Sequence, residues 1–158
     1  MADVFTDSLI GGTNAAVIAL ANPGIQVIVV DISKANIDRW NSKHLPINEA
    51  GLDLVIRITR DGLSEHDSVQ SQRAANLVFS TDCSGHVSEA DIVFLTVSTP
   101  TKDYGEGAGS AIDIGDLKIA VETIAAVAKP GAIIVEKSTV PCKTAQMIQD
   151  VVSFARGV

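Results

Sequence analysis

Cysteine is scarce: Cys83 and Cys142 are the only two in 158 residues, and they stand far apart. That excludes a disulfide framework and a zinc site of the paired CxxC kind, leaving two reduced thiols as the expectation. Basic residues are outnumbered, 12 Lys and Arg against 19 Asp and Glu, for a net charge of −7. Such a surface repels a phosphate backbone or an anionic membrane, and no Lys/Arg cluster overrides it. Neither nucleic acid nor a membrane is expected as a partner. No apolar run approaches the ~20 residues that span a bilayer. The opening MADVFTDS carries acids where a secretory signal carries basic residues, which points to the cytoplasm. His44, His66 and His86 are dispersed with no ligand spacing, so no metal site is expected.

What is present is apolar. Hydrophobic residues make up 46% of the chain, enough for one core, so residues 1–158 read as a single domain. Apolar, β-branched runs alternate with segments of helical spacing, the pattern of parallel strands joined by crossover helices. The fold class is therefore α/β, a doubly wound and mostly parallel sheet. The strands are QVIVV (26–30), LVFS (77–80), IVFLTV (92–97) and AIIV (132–135). Helices are expected over 11–20, 34–40, 52–58, 113–128 and 143–154. In the fourth of these Leu117, Ala120, Val121, Ile124, Ala125 and Ala128 form one apolar stripe, ended by Pro130-Gly131. Residues 61–75 are polar and aperiodic and read as a surface insertion.

Asp31 ends the strand VIVVD about twenty residues after a Gly-Gly pair. In a dinucleotide-binding fold an acid so placed receives the adenosine ribose hydroxyls and repels the extra phosphate of NADP, which favours NAD. The same residue equally fits a simple cap on the following turn, and spacing leaves both readings open. The glycines such a fold needs upstream are largely missing. Where G-x-G-x-x-G belongs, the window reads TDSLIG, and only Gly11 remains. Thr6 and Ser8 replace the glycines of the tight turn and of close pyrophosphate approach; Asp7 adds a negative charge. The helix N-terminus at Gly11 still offers backbone donors. The strand before it, Asp3 to Thr6, has only Val4 and Phe5 as strand formers, so the first strand reads as degraded.

Two further stretches carry hydroxyls at strand ends: TVSTPTKDYGEG from Thr96, and VEKSTVP from Val135. Ligands in open α/β sheets sit outside the carboxyl ends of the strands, and two such loops on consecutive strands would face one crevice.

These segments, with VVDIS, RWNSKHLPINEAGL, LVFSTD and IDIGDLK in the same order, resemble the NAD-binding domain of the nucleotide-sugar dehydrogenases that oxidise UDP-glucose, in its eukaryotic form. The resemblance covers most of residues 11–145, and STPTK and EKSTVP are specific to that group. It implies a Rossmann-like fold with NAD as cofactor. Asp31 would hold the adenosine ribose, and Val97, Ser98, Thr99, Pro100 and Thr101 would line the NAD site with Gly11. Ser138, Thr139 and Val140 would lie near the nicotinamide, with Thr139 ordering a catalytic water. In the family, UDP-glucose is oxidised twice to UDP-glucuronate; the nucleophilic cysteine and sugar-binding residues come from segments beyond this one, so the C-terminal end reads as truncated and UDP-glucose would be a partner only with those domains present. Self-association, or association with full-length subunits, is expected through apolar surface on the last helix and last strand. The resemblance leaves two alternatives: a non-catalytic binding module, or a dehydrogenase of GDP-mannose or a UDP-hexosamine. Asn36 stands where the family has a basic residue, with Lys34 nearby as a substitute, and Ala50 replaces a proline.

Overall fold

The computed structural model describes residues 2–6, 8–62 and 74–156; most of the insertion read at 61–75 lies outside them. Five parallel strands form one sheet: β1 Ala2–Thr6, β2 Gln26–Val30, β3 Leu77–Ser80, β4 Ile92–Leu95 and β5 Ile133–Glu136, in the order β3-β2-β1-β4-β5. Between them run α1 Ser8–Ala21, α2 Lys34–Trp40, α3 Leu52–Asp61, α4 Cys83–Glu89, α5 Gly115–Val127 and α6 Thr144–Arg156.

Alternation along the strands divides the core in two, because successive side chains point to opposite faces. Phe5, Val27, Val29, Leu77 and Phe79 face the side covered by α1, α2 and α3. Val4, Ile28, Val30, Val93 and Leu95 face α4, α5 and α6. Burial on both faces is why these strands read as continuous apolar runs. Phe5 and Phe94 sit opposite each other in the β1–β4 register and stack at 4.4 Å.

The first strand departs from expectation. Poor as its composition is, β1 pairs along its length with β2 and with β4, and Val4 and Phe5 are wholly buried. A central position supplies partners on both edges, and that pairing overrides weak local propensity. Asp3 is buried with it, and its Oδ1 has no hydrogen-bond partner. Burial, followed by the nearby Asp91, pushes the Asp3 carboxyl above the ordinary 3.8.

Other elements depart from expectation as well. The first helix begins at Ser8, so Gly11 lies within it and not at its N-terminus. The strand expected to reach Val97 stops at Leu95. The stretch CSGHVSE forms α4, a helix not anticipated, capped by Asp82 Oδ1 accepting from Gly85 N at 2.9 Å. The last strand and helix do leave apolar groups in solvent: Ile133 is 57% exposed and Phe154 90%. No helix among the described residues is long and apolar enough to cross a membrane.

Candidate functional site

The parallel register brings Thr6, Val30, Ser80, Leu95 and Glu136 into one row at the carboxyl edge of the sheet. Strand order reverses between β1 and β4, which makes that junction the switch point at which crevices open in doubly wound sheets. Beside it lies a cavity of about 330 Å³, whose lining includes Asp31, Ile32, Asn36 and Cys83, Val97 and Ser98, and Asp116, Ile119 and Thr123 of α5.

Asp31 sits one residue past β2 and is 9% exposed. Its Oδ1 accepts from Ser33 N at 2.7 Å and its Oδ2 from Asn36 Nδ2 at 3.0 Å. The carboxylate thus closes the turn into α2, as the capping reading expects, and it also lines the cavity. Asn36 is the residue that holds it. The Lys34 ammonium is bound to Asp38 one turn along α2, with most of both side chains in solvent. Two apolar side chains line the same cavity as this carboxylate and remain exposed, Ile32 at 93% and Ile119 at 62%. Exposed isoleucines in the lining of a cavity give a flat, aromatic ligand two surfaces to pack against.

The two hydroxyl loops, expected to face one crevice, touch each other, but only the first of them lines the cavity, through Val97 and Ser98. Thr99 Oγ1 donates to the Thr139 carbonyl at 2.7 Å, and Ser138 Oγ donates to the Leu95 carbonyl at 3.2 Å. Glu136 Oε1 accepts from Ser138 N at 2.7 Å, holding that loop against the strand end, while its buried Oε2 has no partner. Pro100 and Thr101 lie farther out. The Pro100 carbonyl accepts from Asp113 N, and Thr101 bridges Ile112, so this pair roots a hairpin-like loop ahead of α5. Val140 packs against the core on the α5–α6 side. Of the residues read from sequence, Asp31, Val97 and Ser98 line the cavity; Thr99, Ser138 and Thr139 form a joined rim on consecutive strands.

Gly11 acts by what it lacks. A Cβ there would stand 2.7 Å from Thr96 Oγ1 and 3.3 Å from Phe5 Cβ, so the glycine lets α1 press onto the sheet. That is the role of the third glycine of the fingerprint. Gly12 does the same for Trp40, whose ring would be 2.5 Å from an added Cβ.

Sequence reasoning missed Asn36 as a support of Asp31, and it missed the α5 wall. Asp116, Ile119 and Thr123 recur at helical spacing beside the buried stripe of that helix. A solvent-facing isoleucine one turn after an acid was the available signal. Cys83 also lines the cavity. Its thiol is pushed above its usual value by burial and then by Asp31 and Asp82, the wrong direction for a nucleophile. Cys142 is exposed. No cluster of His, Cys, Asp or Glu among the described residues could hold a metal.

A doubly wound sheet with an acid after β2, a crevice at the switch point and a glycine-packed first helix defines a dinucleotide-binding domain of the Rossmann type. The sequence matches the NAD binding domain of the UDP-glucose/GDP-mannose dehydrogenase family over residues 4–156, and the chain belongs to that family. It is 49% identical over 144 residues to UDP-glucose 6-dehydrogenase 3 of Oryza sativa, and 46% identical over the same length to UDP-glucose 6-dehydrogenase 1 of Arabidopsis thaliana; each comparison covers 91% of this chain and 27% of the relative. The chain thus spans about a quarter of the length of these relatives. Among solved structures, a UDP-D-ManNAc dehydrogenase from Pyrococcus horikoshii superposes with a TM-score of 0.80 at 21% identity, covering 100% of this chain and 33% of that one. A GDP-mannose dehydrogenase from Pseudomonas aeruginosa superposes at 0.75 and 24%, again over 100% and 33%. At these identities the structural matches speak for the fold alone.

The residues fit the cofactor unevenly. Asp31, Ile32 and Ile119 provide an acceptor and apolar walls suited to a ribose and a purine. The end of β1 carries the Thr6 side chain where a pyrophosphate needs bare backbone.

Proposed function

We propose that this chain is the cofactor-binding portion of a UDP-glucose 6-dehydrogenase, a cytoplasmic enzyme that converts UDP-glucose to UDP-glucuronate with two NAD. The convergence of Asp31 with the joined Thr99 and Thr139 loops on one sheet edge carries this reading. NAD supplies a hydride acceptor when bound. Asp31 receives the adenosine ribose hydroxyls with its carboxylate oriented by Ser33 N and Asn36, and its charge disfavours a 2′-phosphate. Thr99 sets the Thr139 backbone, so the two loops move as one rim beside the nicotinamide end, with Gly11, Val97, Ser98, Pro100, Thr101, Ser138 and Val140 shaping the path. Thr139 orders a catalytic water in this reading, the role that the family resemblance implies for it. Neither Cys83 nor Cys142 has the setting of a nucleophile, so sugar oxidation requires residues outside this segment, as does UDP-glucose binding. UDP-glucose is favoured over GDP-mannose or a UDP-hexosamine by the 49% identity to plant UDP-glucose enzymes. The exposed Ile133 and Phe154 support association with a second copy or with full-length subunits.

The test is calorimetric titration of the purified chain with NAD and NADP. Binding of NAD, weaker binding of NADP and loss of binding in Asp31→Ala are expected. No heat with either cofactor, from a chain that circular dichroism shows to be folded, would overturn the reading and favour a non-catalytic interaction module, for which the altered first turn speaks.

A further inference from the structure

The switch point is closed by a reciprocal pair of threonines. Thr6 Oγ1 accepts from Thr96 N at 3.3 Å and donates to the Phe94 carbonyl at 3.3 Å. In return Thr96 Oγ1 donates to the Thr6 carbonyl. Thr96 is 1% exposed and lies directly under Gly11, where an added Cβ would come within 2.7 Å of its hydroxyl. These bonds tie the ends of β1 and β4 together at the place where the pyrophosphate of a dinucleotide crosses a Rossmann sheet. The Thr96 N–H at that junction is already engaged by a side chain of the protein.

The cavity beside this clasp differs in character. Among the described residues its charged lining consists of Asp31 and Asp116, with no Lys or Arg. Two carboxylates oppose a dianion and do not oppose an uncharged nucleoside. Its volume of about 330 Å³ lies at the small end of the roughly 300–1,000 Å³ typical of ligand pockets. Ile32 and Ile119 supply apolar surface for a base, and Asp31 accepts from a ribose.

We infer that this chain takes its ligand as an adenine nucleoside: the adenosine half carries the binding, and the pyrophosphate and nicotinamide half of NAD adds almost nothing. The inference rests on the cofactor reading above and narrows it. In an ordinary fingerprint, backbone amides and the helix N-terminus favour the pyrophosphate. Here Thr6 spends its hydroxyl on closing the sheet, and the charged groups that the described residues bring to the cavity are both acids. Affinity should therefore fail to rise as the ligand is extended.

The experiment is a calorimetric series on the chain with adenosine, AMP, ADP-ribose and NAD, at low and moderate salt. The expected result is that adenosine and NAD bind within about fivefold of each other, a difference near 1 kcal/mol, and that AMP and ADP-ribose are no tighter than adenosine. NAD tighter than adenosine by more than that margin overturns the inference and leaves the cofactor reading intact. Failure of all four ligands to bind folded protein overturns both. Replacing Thr6 and Ser8 together by Gly provides an independent check: provided circular dichroism shows the variant folded, NAD affinity should rise about tenfold or more while adenosine affinity stays constant. The unsubstituted chain decides the matter if that variant does not fold.

Discussion

Thr99 on the loop after β4 donates its hydroxyl to the carbonyl of Thr139 on the loop after β5, 2.7 Å away and 40 residues along the chain. The bond couples the two segments whose hydroxyls first marked this edge of the sheet. Thr99→Val keeps the shape and removes the donor. It should cost about 0.5–1.5 kcal/mol of stability and leave the affinities for NAD and adenosine nearly unchanged, since neither Thr99 nor Thr139 lines the cavity that takes the adenosine half. Thermal unfolding and the same titrations read both effects.

Gly12→Ala should destabilise, although alanine is the better helix former. In an open helix this exchange gains about 1 kcal/mol. Here the new Cβ meets Trp40, which is fully buried and stacked at 5.0 Å on Phe79, so there is little room to yield. The net cost should be about 1–3 kcal/mol. Gly24→Ala, with nothing within 4 Å of its added Cβ, is the matched control and should leave the melting temperature nearly unchanged.

Asn76 is a buried side chain whose Nδ2 reaches the carbonyls of Ala19, Asn22 and Ile25 at 3.0, 3.1 and 3.0 Å. It ties the end of α1 and the turn after it to the start of β3. Asn76→Asp turns a donor into an acceptor facing those carbonyls and should cost about 3 kcal/mol or more. Asn76→Ala should cost less, because it leaves no charge behind. Urea unfolding of both variants tests the order.

Stability should fall as pH rises through the titration of Asp3. Its folded carboxyl titrates above 3.8, chiefly because burial disfavours the charge and secondarily because Asp91 lies near. A group with a raised folded pKa stabilises fully below its unfolded value, and that contribution disappears as pH passes the folded value. Asp3→Asn should therefore raise the melting temperature at pH 7 and lose that advantage near pH 3.5. An equal gain at both pH values would refute the assignment to Asp3. Asp91 shifts the other way, first through its bond with the Lys129 ammonium at 2.6 Å, so its part is lost as pH falls through its lowered value.

Much of this fold was legible because its strands are covered on both faces. Burial on two sides demands unbroken apolar runs, and QVIVV or IVFL cannot be mistaken for amphipathic helix. The short α4 was not legible: CSGHVSE has one buried residue, Val87, and owes its start to the Asp82 cap. Nor was the full pairing of β1, whose composition is poor. In the site, Asp31 was visible from its place at a strand end. Asn36 and Ile119 were not, since one is significant only through its bond to Asp31 and the other only through the exposure that packing leaves it.

The sequence by itself determined the α/β class, the family and the residue types on the carboxyl edge, because periodicity and local motifs are properties of neighbouring residues. The tertiary structure decided what those residues do. Thr6 and Thr96 are 90 residues apart, and only strand pairing turns two hydroxyls into a clasp over the switch point. Asp31 faces the α5 wall for the same reason. Such distances depend on how sheet and helices pack, and linear spacing carries no record of them.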